Sequence, residues 1–221
     1  FTIPYQKTFI MKRYLALLII FGLLFSCSVS FAQDLKPETH AKMEWFKDAK
    51  LGIFIHWGIY AVNGIDESWS FFNNYISHED YLKQLDGFTA KKYDPEYWAE
   101  IIKFSGAQYS VITTRHHDGF ALWDSKFGDL NAVKSSAAKR DVLTPFVKAL
   151  RNNNLKVGLY YSLPDWHHPN CPNWSRHHEM FGPRAEDDPD EMKYLEYVRN
   201  QVRELCTNYG AIHEFFWDVN V

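Results

Sequence analysis

The sequence predicts an α/β fold, and within that class a (β/α)8 barrel of the TIM type, of which this chain would contain the first four β/α units. Short apolar segments alternate with amphipathic segments of helical period, and the longest irregular segments follow the apolar ones. Each apolar segment also ends in His, Tyr or Asp, as expected where a site lies at the carboxyl ends of parallel strands. No glycine-rich phosphate motif follows any of them, which disfavours the doubly wound sheet.

Caps and periodicity place the elements along the chain. Asp94 and Pro95 form an N-cap and first-turn pair before one helix, and Asp141 caps the next. Strands are assigned to runs of β-branched and aromatic residues. The predicted elements are a helix at 36–50, a strand at 51–58, a loop at 64–78, a helix at 94–106, a strand at 109–114, a helix at 141–151, a strand at 156–162, a loop at 163–189, a helix at 189–208 and a strand at 212–218.

The first 33 residues are predicted to be upstream sequence followed, from Met11, by a segment typical of a bacterial export signal, and they are left out of the fold. Met11, Lys12 and Arg13 precede an apolar run at 15–25, which is shorter than the roughly 20 residues that a spanning helix needs. We predict cleavage after Ala32 and simple export, to the periplasm or outside the cell. The alternative is a lipid anchor on Cys27. Residues 34–221 are then predicted to be the N-terminal half of a barrel catalytic domain.

Composition excludes some classes of partner. The chain has 221 residues with 46% hydrophobic content, enough for one sizeable core. Its net charge is −3 and it has no block of like charge, so there is no electrostatic case for nucleic acid. Cys171 and Cys206 stand far apart and do not form a disulfide framework, so we do not predict a bridge. The sequence does not decide whether the chain forms a homo-oligomer.

Polar side chains at the strand ends indicate a carbohydrate site. Imidazoles, a phenol and a carboxylate supply the paired donors and acceptors that sugar hydroxyls need, and the many tryptophans suit the apolar face of a pyranose. A carboxylate at a strand end is also the position expected of a nucleophile in retaining glycoside hydrolysis. The strand-end residues are His56, His116, His117, Tyr160 or Tyr161, and Asp218.

Four motifs together carry a resemblance to a known family. They are WFKDAKLGIFIHWG at 45–58, HHDGFALW at 116–123, GLYYSLPDW at 158–166 and FFWD at 215–218. With these motifs in this order, the chain from about Glu38 onward resembles the α-L-fucosidases of glycoside hydrolase family twenty-nine. The resemblance implies a somewhat irregular (β/α) barrel, a following β-sandwich domain, no metal or other cofactor, and retaining hydrolysis of terminal α-L-fucose from glycans.

The same resemblance implies roles for individual residues. Asp218 matches the catalytic nucleophile, and the acid/base glutamate would lie outside these 221 residues, so we expect this stretch alone to be inactive. Four strands would also leave unpaired edges where a barrel closes, so we expect it to be poorly stable. Two departures affect sugar contacts: Ser68 stands between Glu67 and the tryptophan, and Phe216 replaces a tryptophan. The implied fucose-binding residues are His56, Trp69, His116, His117 and Tyr161, with Tyr160 as the alternative to Tyr161.

Other functions remain to be compared with this hypothesis. A non-catalytic fucose-binding barrel would lack the nucleophile, whereas Asp218 is present. A metal-dependent barrel hydrolase is expected to have two histidines, separated by one residue, at the end of the first strand. Only His56 is found there. A zinc site in the loop at 163–189 is disfavoured because the spacing of its ligands fits no compact pattern. Those ligands would be His167, His168, Cys171, His177 and His178.

Overall fold

A computed structural model describes residues 37–172 and 187–218. The chain divides between Trp45 and Phe46 into two compact units, and the site belongs to the second. No helix within the described ranges is both long and apolar enough to span a membrane. The helices and strands are α1 (Pro37–Ala49), β1 (Gly52–Ile55), α2 (Trp69–Phe72), α3 (His78–Leu82), α4 (Pro95–Phe104), β2 (Tyr109–Arg115), α5 (Leu143–Asn152), β3 (Lys156–Ser162), α6 (Glu191–Asn208) and β4 (Glu214–Asp218).

The four strands form one parallel sheet in the order β1-β2-β3-β4. A doubly wound sheet reverses its strand order at a switch point, whereas barrel strands follow one another in sequence. The order therefore confirms the parallel α/β prediction and matches the first part of a barrel. Pairing brings the carboxyl ends into one row, because Ile55 lies beside Ile112 and Ser162 beside Asp218.

Local sequence explains where the helices begin. Asp94 caps α4 by accepting a hydrogen bond from the Tyr97 amide at 3.0 Å. The Asp141 carboxylate accepts from the Leu143 amide at 2.8 Å, at the start of α5, as predicted. The buried apolar stripe of α5 follows helical spacing; its members are Leu143, Phe146, Val147 and Leu150.

The two faces of the sheet differ. One face packs against the helices, and β2 and β3 are buried along almost their whole length. On the other face, the rings of Phe54, Tyr160 and Phe216 lie 5.5 to 5.7 Å apart. Phe54 is 42% exposed and Phe216 is 45% exposed, so no helix among the described residues covers this face. It corresponds to the inner face of a barrel, which side chains from the other strands would fill.

A bulge interrupts the pairing of β2 with β3. Thr113 pairs with Tyr160, but Arg115 pairs with Tyr161, so Thr114 is an extra residue. The Thr114 hydroxyl donates to the Tyr160 carbonyl at 2.5 Å. Because side chains alternate between faces, the extra residue turns Arg115 to the helix-covered face. There its guanidinium carbon lies 4.3 Å from the centroid of the Tyr161 ring.

The structure differs from the sequence predictions in the loop after β1. The predicted irregular segment 64–78 contains the single-turn helix α2, and α3 begins at its last residue. Helices of four and five residues show no 3.6-residue period, which is why the sequence pattern missed them. Cys171 is buried and Cys206 is exposed, and no disulfide joins the two. The predicted export signal, with Cys27, lies outside the described residues.

Candidate active site

The predicted strand-end residues converge. The imidazole centroids of His56 and His116 lie 4.9 Å apart, and those of His116 and His117 lie 4.2 Å apart. The Tyr160 ring stacks on His116 with 5.6 Å between centroids and 8° between planes. Asp218 Oδ2 lies 3.6 Å from His117 Nε2. The structure thus gathers one carboxylate, three imidazoles and one phenol, which we call the rim cluster.

Asp218 is the last residue of β4 and is partly open to solvent. Its Oδ2 accepts a hydrogen bond from the Tyr160 hydroxyl. Its backbone carbonyl accepts from the Leu163 amide at 3.1 Å, which fixes the end of the strand. The side chain is 34% exposed. A carboxylate held from one side and accessible from the other can act on a ligand as an acceptor or as a nucleophile.

The structure corrects the choice between the two tyrosines of β3. The prediction favoured Tyr161, but that side chain is fully buried on the helix-covered face and donates to Gln201 Oε1 on α6 at 2.9 Å. Tyr160 is the one that contacts Asp218 and His116. The physical reason is the two-residue alternation of a strand: Ser162, which pairs with Asp218, shares its face with Tyr160.

A hydroxyl group hydrogen-bonds the Nδ1 atom of each rim histidine. The Tyr60 hydroxyl lies 2.7 Å from His56 Nδ1, and the Ser68 hydroxyl lies 2.7 Å from His116 Nδ1. His117 Nδ1 has the Ser162 hydroxyl at 2.5 Å. These contacts orient the three rings. Burial lowers the pKa of His116 well below its ordinary value and that of His117 to about 4, so both rings are neutral at pH 7.

The loop after β1 adds two residues to the cluster, Glu67 and Trp69. Trp69 is 37% exposed and stands perpendicular to the His117 ring, with 5.8 Å between centroids. Trp166 supports Trp69 edge-on at 5.2 Å. Glu67 also reaches the site, since its carboxylate lies within 4.8 Å of the ligand nitrogens of His56 and His116. Insertion of Ser68 before Trp69 therefore does not remove the glutamate from the site.

Arg115 and Asp165 form a buried ion pair beside the cluster. Arg115 Nη1 donates to Asp165 Oδ2 at 2.9 Å, and both side chains are inaccessible to solvent or nearly so. Nη2 donates to the Ser162 carbonyl at 2.5 Å. The other carboxylate oxygen accepts from the amides of His167 and His168 at 3.0 and 2.9 Å. The ion pair thus connects β2 to the loop after β3. The sequence pattern did not predict this pair.

The turn after His117 is built around a second buried carboxyl. Asp118 accepts from the Tyr81 hydroxyl at 2.6 Å and from the Phe120 amide at 3.0 Å. Burial raises the pKa of Asp118 to about 6. Gly119 follows with a φ of +80°, where a side chain would also collide with the Asp165 carboxylate. Asp118 lies in the turn that follows His117, whereas Asp165 lies in the loop after β3.

Two overlapping groups of side chains have the composition of a metal site. His56, Glu67 and His116 form one, and His116, His117 and Asp218 form the other; within each, the ligand atoms lie within 4.8 Å of one another. Imidazole and carboxylate are ligands that Zn²⁺ accepts, at bond lengths of about 2.0–2.2 Å. Of the residues considered for the disfavoured zinc site in the loop after β3, His177 and His178 lie outside the described residues.

Comparison with known proteins assigns the chain to a family. The model of the family described as Alpha-L-fucosidase matches residues 28–221. The chain belongs to the α-L-fucosidase family. Alpha-L-fucosidase of Branchiostoma floridae is 37% identical over 143 residues, which are 57% of this chain and 32% of the relative. Plasma alpha-L-fucosidase of Homo sapiens is 38% identical over 142 residues, which are 57% of this chain and 30% of that protein.

Solved fucosidase structures share the fold. Alpha-L-fucosidase isoenzyme 1 from Paenibacillus thiaminolyticus superposes with a TM-score of 0.74 at 39% identity, over 81% of this chain and 43% of that one. A glycoside hydrolase family 29 α-L-fucosidase from Bacteroides thetaiotaomicron, solved as a trapped covalent intermediate, gives 0.68 at 32% identity, over 80% of this chain and 41% of that one. The chain spans about a third of the length of the curated relatives that it matches.

Proposed function

We propose that this fucosidase chain belongs to the catalytic domain of an exo-acting enzyme that releases terminal α-L-fucose from glycans with retention of configuration. The observation that carries the proposal is the position of Asp218, a partly exposed carboxylate at a strand end, hydrogen-bonded by Tyr160 and faced by neutral imidazoles. Family membership supports it, as does the covalent intermediate trapped in the Bacteroides relative.

Each residue of the site then has a role in the reaction. Asp218 attacks the anomeric carbon, and the glycosidic oxygen leaves as it takes a proton from a second carboxyl group about 5 Å away. Water later cleaves the fucosyl-enzyme ester with the same group acting as base. That acid/base carboxyl remains predicted to lie outside these residues. The fucose-binding residues are proposed to be His56, Glu67, Trp69, His116, His117 and Tyr160.

The proposal predicts the stereochemistry of the product. We expect the full-length protein to hydrolyse 4-nitrophenyl α-L-fucoside and to release α-L-fucose first, as measured by proton NMR before the anomers equilibrate. A chelator should leave the rate unchanged, because the roles above need no metal. First release of β-L-fucose would contradict retention. Loss of activity in chelator with recovery on adding Zn²⁺ would favour the metal-dependent hydrolase, and binding of fucose without any hydrolysis would favour the sugar-binding protein.

The two tyrosines of β3 are predicted to differ in what they affect. Tyr160→Phe removes the hydrogen bond to Asp218, so kcat/KM should fall by about tenfold, the usual value of one such bond. Tyr161→Phe removes only the bond to Gln201 on the helix-covered face and should lower the denaturation midpoint with little change in kcat/KM. The pair is measured by kinetics and urea unfolding in parallel. Equal kinetic losses would contradict the reassignment to Tyr160.

The destination of the protein is also a proposal. The basic and apolar segment at 11–25 is typical of an export signal, and export suits an enzyme that acts on extracellular glycans. We therefore propose export to the periplasm or beyond, with lipidation of Cys27 as the alternative to cleavage after Ala32.

A further inference from the structure

A short chain of hydrogen bonds lies behind His117. Its Nδ1 is 2.5 Å from the Ser162 hydroxyl, and that hydroxyl is 2.6 Å from the carbonyl oxygen of Pro164. His117 and Ser162 are 1% and 0% exposed, so bulk solvent does not compete for these bonds. The carbonyl of Ser162 is held in turn by Arg115 at 2.5 Å, which fixes the backbone that presents the hydroxyl.

The direction of this chain follows from counting protons. A carbonyl oxygen can only accept, so the single hydroxyl proton of Ser162 must lie between its oxygen and Pro164. The Ser162 oxygen can then only accept from His117, which places a proton on Nδ1. A neutral imidazole carries one N–H, so Nε2 keeps a lone pair. No such deduction is available for His56 or His116, because the hydroxyl of Tyr60 or Ser68 can either donate or accept.

The lone pair of Nε2 faces a second acceptor. Asp218 Oδ2 lies 3.6 Å away. With the imidazole proton on Nδ1, neither Nε2 nor a carboxylate oxygen has a proton to donate to the other. The pair is therefore complementary to a donor placed beside it, and a sugar hydroxyl is such a donor. Burial favours the neutral ring, since it lowers the pKa of His117 to about 4, and the ring stays neutral at any pH well above that value.

We propose that Ser162 is a positioning residue that fixes His117 as a hydrogen-bond acceptor, so that the site selects a fucose hydroxyl able to donate to Nε2. This rests on the proposed function for the identity of the sugar, but the tautomer itself does not depend on it. A hydroxyl replaced by fluorine, hydrogen or a methyl ether cannot donate, and the sugar should then bind less tightly. Ser162 acts through His117 and does not touch the sugar.

The tautomer is measured first, without any ligand. In the full-length protein labelled with ¹⁵N-histidine, we expect the His117 resonances at pH 7 to show a protonated Nδ1 and a bare Nε2, assigned by their loss in His117→Asn. In Ser162→Ala, we expect the proton to move toward Nε2, where Asp218 can accept it. A protonated Nε2 in the unsubstituted protein, alone or with Nδ1, would overturn the proposal whether or not the protein is a fucosidase.

Binding is measured second, with L-fucose and its 2-, 3- and 4-deoxyfluoro analogues in a calorimeter. We expect Ser162→Ala to weaken fucose binding about tenfold, the usual value of one hydrogen bond, and to reduce the discrimination against fluorine at one ring position. Ser162→Thr keeps the hydroxyl and should keep the discrimination. Ser136→Ala, which removes a buried hydroxyl bonded to the Ala132 carbonyl, is the matched control and should change neither.

The outcomes separate the two proposals. Unchanged discrimination in Ser162→Ala, with fucose still bound, would overturn the positioning role alone. Absence of fucose binding in the unsubstituted protein would overturn the proposed function, and the nitrogen resonances would still decide the tautomer. If Ser162→Ala fails to fold, the resonances of the unsubstituted protein and the analogue series with Ser162→Thr decide the question.

Discussion

Asp218→Gly is expected to lower the turnover of 4-nitrophenyl α-L-fucoside by at least about 10⁴-fold, the scale seen when a covalent nucleophile is removed. The substitution takes away the carboxylate that would attack the anomeric carbon and leaves a space beside the Tyr160 hydroxyl. Sodium azide should restore activity, because the small anion can enter that space, form the carbon–nitrogen bond and displace 4-nitrophenolate. The product should be fucosyl azide of inverted configuration, identified by NMR.

A carboxylate outside the site provides the control for this experiment. Asp129 is 94% exposed and pairs with Lys134 at the surface, so Asp129→Gly should keep its activity and gain nothing from azide. Undiminished turnover in Asp218→Gly would show that another group is the nucleophile. Lost turnover without any azide product, in a variant that still binds fucose, would leave Asp218 with a binding role and remove the nucleophile from the proposal.

Arg115→Met is expected to reduce the free energy of unfolding by about 3–5 kcal/mol, the usual cost of leaving one member of a buried ion pair without its partner. Asp165 would then be a carboxylate without its guanidinium partner, and with a side chain only 2% exposed it gains little from solvent. Part of the loss should return in the double variant Arg115→Met with Asp165→Asn, because the amide is neutral and its oxygen can still accept from the His167 and His168 amides. Urea unfolding of the variants measures both effects.

A surface pair separates the effect of burial from that of charge. Lys134 contacts Asp129 at 2.9 Å, with 37% and 94% of the two side chains exposed. Lys134→Met should therefore change the unfolding midpoint little, because water and salt screen such pairs. A loss in Arg115→Met no larger than that in Lys134→Met would contradict the stabilising role of the buried pair.

Much of the site was predictable because it follows from strand ends. Strands β2 and β3 agree with their predicted bounds to within one residue, and the histidines and Asp218 stand directly after apolar runs. Parallel pairing then brings them to one edge whatever the loops do. Tyr160 was also within reach of the sequence, because Val157, Leu159 and Tyr161 form the more apolar set of alternate positions, which indicates the helix-covered face.

Other parts of the site depend on contacts that no local pattern encodes. Ser162 lies inside a predicted strand, and its role depends on the loop after β3, which places the Pro164 carbonyl where the Ser162 hydroxyl can donate to it. Arg115 and Asp165 are 50 residues apart, and each alone is indistinguishable from a turn residue. The hydroxyl of Ser68 reaches His116 because α2, a helix of one turn, brings it there, and helices that short leave no period in the sequence.

The extra residue in β2 makes the number of residues in this strand as important as their identity. With Thr114 present, Arg115 lies on the helix-covered side and the following histidines reach the rim. Deletion of one residue there would place Arg115 on the opposite face and direct a cation into the candidate active site, even if every other side chain were unchanged. Over evolutionary time, this segment is expected to tolerate substitution at Thr114 far better than deletion, and alignments of relatives should keep its length without gaps.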